Sequence, residues 1–150
     1  MNKTTRIRIS PIRLLAVWAV AFVASAVANV AVGAAWRAIL NLPSNFAQIA
    51  PPAIISITLV GVAAAVIVFA IVARFADDPV RTYTFIVAPI GLLVSWLFDV
   101  ALYVTRAFPG TTGRGVLALM TLHVITAVIT VLLLRAQGLP KTRPAARQPA

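Results

Sequence analysis

The sequence predicts an all-α membrane protein, a four-transmembrane-helix antiparallel bundle with its N- and C-termini in the cytoplasm. Three observations predict it. Hydrophobic residues make up 61% of the 150-residue chain and charged residues 11%, against about 45–50% and about 25% in soluble domains. Four runs, 14–36, 52–73, 83–104 and 116–134, meet the roughly 20-residue requirement for crossing a bilayer. In lipid such a run satisfies its backbone as a helix, and the alternating strands of a barrel are absent from the pattern. The basic residues, finally, are distributed unevenly around those runs.

The elements follow in order. Residues 1–10 are polar and basic and read as a cytoplasmic extension. The transmembrane domain covers 11–137. Its first run carries Ala24-Ser25-Ala26, a signal-peptide-like cleavage site. The run is longer than an h-region of about 7–15 residues and continues past that site, so an uncleaved helix is expected. Ala21, Ser25, Asn29 and Gly33 recur every fourth residue, a small-residue stripe that lets membrane helices approach closely. Asn29 stands out within it, because a buried amide requires hydrogen-bond partners.

The next connection, LNLPSNFAQIAPP, is the longest. Pro43 followed by Ser44 and Asn45 as caps predicts a short helix, with Phe46 and Ile49 on one face, lying over the outer end of the bundle. Pro51 and Pro52 suit the first turn of the second helix. There Gly61 and Ala65 repeat the small-residue spacing and predict a packing face. A short inner loop holds Asp77, Asp78 and Pro79. Pro89 predicts a kink in the third helix. Pro109-Gly110 marks the turn into the fourth. Short connections make successive helices antiparallel neighbours. The proline-containing, basic stretch 138–150 reads as a disordered cytoplasmic tail.

Lys3, Arg6, Arg8, Arg13, Arg74, Arg81, Arg135, Lys141, Arg143 and Arg147 fall on one side of this arrangement, and Arg37, Arg106 and Arg114 on the other. The positive-inside rule places the richer side, with both termini, in the cytoplasm of a multi-pass plasma (inner) membrane protein. The net charge of +10 therefore reflects helix flanks rather than a basic face, and nucleic acid is not an expected partner. The expected partner is the lipid bilayer, with a second copy or another membrane protein as a further one through the small-residue stripes. The absence of cysteine excludes disulfides, thiolate metal sites and cysteine nucleophiles. No cofactor or metal is expected, because one histidine and one intramembrane acid are a poor set for zinc.

The polar groups inside the apolar runs carry the functional signal. Asp99, in SWLFDVALYV, is the sole carboxylate outside the Asp77-Asp78 pair, and His123, in LMTLHVITAV, is the sole histidine. An ionisable group at such a position is costly and calls for a partner or a role. Ser95, Tyr103 and Arg106 share Asp99's side of the helix, and Thr126 and Thr130 share His123's. Counted from the loops at about 1.5 Å per residue, Asn29, Asp99 and His123 lie at one depth, roughly 8–11 Å below the outer boundary. The candidate polar site is therefore Asp99, His123, Asn29, Ser95 and Arg106. If Asp99 and His123 touch, their protons belong to a coupled pair. Such a pair serves as a proton or cation site, or as a static clasp between two helices. A Ser–His–Asp triad from Ser95 or Ser25 exists on paper alone, and no catalytic residue is expected.

The segments NFAQIAPPAIISITLVG, SWLFDV and PGTTGRGVLALMTLHVITAV resemble a bacterial, largely actinobacterial family of four-helix integral membrane proteins, a domain of unknown function. The resemblance covers roughly 14–134. Its most distinctive parts are the Pro-Gly turn followed by the histidine of the fourth helix, and the acid late in the third. A proline often precedes that acid in the family pattern, where Phe98 stands here. The resemblance implies the fold and the membrane location, and no activity. The leading functional expectation is a non-enzymatic accessory or structural membrane protein. The alternative is a small transporter or channel-like protein with a protonatable outer-half site at Asp99 and His123.

Overall fold

The structure, a computed structural model, describes residues 10–137. The basic N-terminal stretch 1–9 and the tail 138–150, with the expectations made for them, lie outside the described residues. The described chain is all-helical, and the four apolar runs fall inside four helices of 24 or more residues. At 1.5 Å per residue each is long enough to cross a hydrocarbon layer of about 30 Å.

Helix α1 spans Pro11–Ile39, with proline at its first position. A single 3-10 turn, Ala47–Ile49, follows. Helix α2 spans Pro51–Phe75 and again starts on proline, which has no N–H to leave unsatisfied there. Helix α3 spans Pro79–Thr105. Asp78 caps it, its Oδ1 accepting the Arg81 backbone N–H at 3.0 Å. Helix α4 spans Gly113–Gln137, and Thr112 Oγ1 accepts the Gly115 N–H at 3.1 Å as its cap.

Two expectations take a different form. Instead of a helix capped by Ser44 or Asn45, the first connection makes the 3-10 turn, with no side-chain cap. Phe46 and Ile49 do share a buried face, and burial of these two side chains holds the segment where capping does not. The kink expected at Pro89 is expressed as a π turn over Tyr83–Val87. A proline lacks an N–H and crowds the carbonyl four residues earlier, here in that same turn. A wider turn ahead of the ring re-registers the bonding ladder.

Helix α1 packs against α2 and α4, and α3 packs along α4. Helix α3 meets α2 mainly through Pro79–Thr82; beyond that turn a cavity lies between the two helices. Two apolar clusters hold the bundle. One contains Val17, Ala21, Val62, Phe69, Tyr83 and Leu134, with Phe69 and Tyr83 meeting edge to face at 5.3 Å. The other contains Leu42, Phe46, Ile49, Ile54, Leu119 and Leu122, so the α1–α2 connection is part of the core. Arg37 reinforces it by donating to the Phe46 carbonyl at 3.2 Å.

The stripe Ala21, Ser25, Asn29, Gly33 is buried along its whole length. The packing face expected for α2 is shifted. Its buried residues are Ile54, Thr58, Val62, Val66 and Phe69, whereas Gly61 is exposed and borders the cavity. Large β-branched and aromatic side chains offer more contact area than Gly61 and Ala65, and they turn inward.

Candidate functional site

Between the two apolar clusters lies a polar layer. Along α1 it falls at Ser25 and Asn29, along α2 at Thr58, along α3 at Asp99, and along α4 at His123, Thr126 and Thr130. Asn29 is its hub. Its Nδ2 donates to Thr58 Oγ1 at 3.2 Å and to Thr126 Oγ1 at 2.7 Å, tying α1 to both neighbours. Its Oδ1 is buried with no hydrogen-bond partner. The Thr126 hydroxyl itself donates to the Leu122 carbonyl at 3.0 Å, which orients its lone pair toward Asn29.

The second pair is Asp99 with His123. Nε2 of His123 lies 3.3 Å from Oδ2 of Asp99. The contact is within ion-pair distance but is not aligned as a hydrogen bond, and Oδ2 is buried without a hydrogen-bond partner. Asp99 is 4% exposed and is the one buried residue of Ala88–Thr105. Ala88, Leu92, Ser95, Trp96 and Leu102 of that segment are half-buried, so the carboxylate is the most deeply buried group that it presents to the bundle. Trp96 Nε1 donates to the Met120 carbonyl at 3.2 Å, fixing α3 against α4 one turn away.

Both pairs border one cavity of about 640 Å³, lined by residues of α2, α3 and α4 together with Asn29 and Gln48. Asp99, His123, Asn29 and Ser95, four of the five expected site residues, are in its lining. Arg106 is not. It ends α3 in the left-handed conformation, φ 49, and is exposed; the αL turn carries its side chain away from the face shared by Ser95 and Asp99. Ser95 donates to the Leu92 carbonyl at 2.7 Å, so its hydroxyl is committed to its own helix and is not delivered to His123 as a nucleophile. Tyr103 is half exposed and absent from the lining.

Gln48, Ser56 and Thr58 are the polar lining residues that sequence reasoning passed over. Thr58 was detectable, since it continues the stripe Ile54, Val62, Val66 at every fourth residue. Gln48 was not, because nothing in the connection signals that it folds back over the cavity. Among the described residues no three of His, Cys, Asp or Glu gather, so Asp99 and His123 are the two side chains able to contribute to a metal site, with the amide and hydroxyl oxygens around them. The chain matches no protein-family model, no curated protein and no solved structure. The site is read from its own geometry.

Proposed function

We propose that this chain is a small, non-enzymatic, multi-pass plasma-membrane protein that binds a ligand inside the membrane, as a carrier or receptor does. Both termini are cytoplasmic and successive helices antiparallel in this reading, supported by the asymmetry of the basic residues. The resemblance of its helix-three acid and helix-four histidine to the bacterial four-helix family belongs to the same proposal. One observation carries the functional part: Asp99 and His123 border an open cavity of about 640 Å³ instead of a packed layer. A mostly apolar pocket of roughly 300–1,000 Å³ with a few convergent polar groups is the usual form of a small-ligand site. A clasp that served only to join α3 to α4 would need no such space. The accessory or structural reading retains one support, the Asn29 bonds to α2 and α4, and these hold the frame in which the cavity sits.

Because the chain has no cysteine, Ser95→Cys gives a single probe in the lining. In proteoliposomes a lipophilic maleimide is expected to label the introduced thiol without denaturant. A thiol that reacts only after unfolding would show a closed layer and overturn the binding reading.

A further inference from the structure

We propose that the cavity between α2, α3 and α4 takes the ammonium head of a single-chain alkyl amine, with Asp99 as its counter-ion and the apolar walls around its chain. The inference rests on the reading of the cavity as a ligand site and adds the chemical class of the ligand.

Three buried polar atoms of the lining have no hydrogen-bond partner: Asp99 Oδ2, Asn29 Oδ1 and Gln48 Oε1. All three are acceptors. Four of the donors nearby are already committed, while those of Thr58, Gln48 and His123 donate no hydrogen bond, and His123 Nε2 lies 3.3 Å from Asp99 Oδ2. Asn29 Nδ2 serves Thr58 and Thr126. The hydroxyls of Ser56, Ser95 and Thr126 each donate to a carbonyl of their own helix. A buried acceptor without a donor carries a desolvation penalty that a donor-bearing ligand removes. An alkylammonium group has N–H donors, no acceptor, and one positive charge to set against one carboxylate.

The walls settle the rest of the molecule. Ile57 and Val60 on α2, and Val94 and Phe98 on α3, line the cavity and are also exposed on the outer surface of the bundle. The cavity thus opens sideways between two apolar helix faces, toward the position of the acyl chains. Gly61 and Gly91 lie one on each wall, and a Cβ on either would meet nothing within 4 Å, which leaves room for an extended chain. A bare alkali cation would use the oxygens and leave these walls uncovered. A fatty acid or an anionic phospholipid would bring a negative head to Asp99, where like charge opposes it.

The full-length protein in lipid nanodiscs is titrated at neutral pH with decylammonium, decyltrimethylammonium, decanol, decanoate and sodium ions, and the response of empty nanodiscs is subtracted. Decylammonium is expected to bind saturably. Decyltrimethylammonium, which keeps the charge and loses the N–H donors, is expected to bind at least about tenfold more weakly. Decanol and decanoate are expected to give no saturable component, and Asp99→Asn to weaken decylammonium at least about tenfold. The five-ligand series on the unaltered protein stands even if that variant misfolds. Equal binding of decylammonium and decanol, or saturable sodium binding with no response to decylammonium, overturns the proposal. Where the thiol of the Ser95→Cys chain is reactive and decylammonium does not bind, the amine assignment alone falls; where that thiol is unreactive, the cavity reading falls with it.

Discussion

Replacing Gly61 and Gly91 with alanine tests whether α2 and α3 stand apart along the cavity. Both glycines are interior to helices, where glycine is less favourable than alanine by about 0.8–1.0 kcal/mol. Neither position has an atom within 4 Å of the added Cβ, so no steric cost opposes the gain. Each substitution should stabilise the protein by about 0.5–1 kcal/mol, and the pair by about 1–2 kcal/mol if the sites act independently. Gly115→Ala supplies the opposite sign. Its Cβ would lie 2.7 Å from Cε1 of Phe46, a ring with 0% exposure and nowhere to move. Overpacking of about 1–3 kcal/mol outweighs the helix gain there. The assay is reversible unfolding in mixed micelles by SDS titration, followed through tryptophan fluorescence. A loss of about 1 kcal/mol or more for Gly61→Ala or Gly91→Ala, opposite in sign to the propensity gain, would mean that these glycines admit close helix contact, and the open cavity would be refuted.

Three other outcomes are expected in the same titration, together with one double substitution. Asn29→Ala removes the hydrogen bonds to Thr58 and Thr126. At about 0.6 kcal/mol on average and up to about 1.7 kcal/mol for one such bond in a membrane, it should cost about 1–2 kcal/mol. Ser25→Ala, at a buried hydroxyl with no partner, should be neutral or stabilising. Arg106→Gly places glycine at φ 49 on an exposed residue and should gain about 1 kcal/mol; no gain would remove the strain assigned to that turn. The double substitution Asp99→Leu with His123→Leu should leave stability unchanged or raise it, whereas a loss above about 2 kcal/mol would favour the clasp.

The helices were legible in the sequence because a bilayer leaves the backbone so little choice that roughly 20 apolar residues specify their own structure. The grouping of the polar residues was legible too. Counting from the loops put Asn29, Asp99 and His123 on one level, and they border one cavity. Facing was harder. On α1 the stripe that carries Ser25 and Asn29 marked the buried side, while the alanines Ala24, Ala31, Ala34 and Ala35 are exposed. On α2 the same rule pointed to Gly61, which lies at the cavity edge while Val62 packs inward. Small residues mark two opposite situations, a backbone approached closely and a space left open, and spacing alone does not separate them. Arg106 went astray for a similar reason: periodicity extends a helix face past its end, but the αL residue there breaks the phase.

The energetics of Asp99 bear on what the cavity is for. Asp99 is the one fully buried residue of helix α3 between Ala88 and Thr105, and the helix is otherwise held by the half-buried Ala88, Trp96 and Leu102 and by the Trp96–Met120 hydrogen bond. Removing a carboxylate from water costs several kcal/mol even after relaxation. An intramembrane hydrogen bond returns about 0.6 kcal/mol, and the His123 contact is not aligned to return even that in full. An apolar residue at 99 would serve helix packing better. The most deeply buried group of that segment is thus the one least suited to stabilising the bundle. It lies beside the cavity, and under the proposed reading a donor-bearing ligand there would offset that cost.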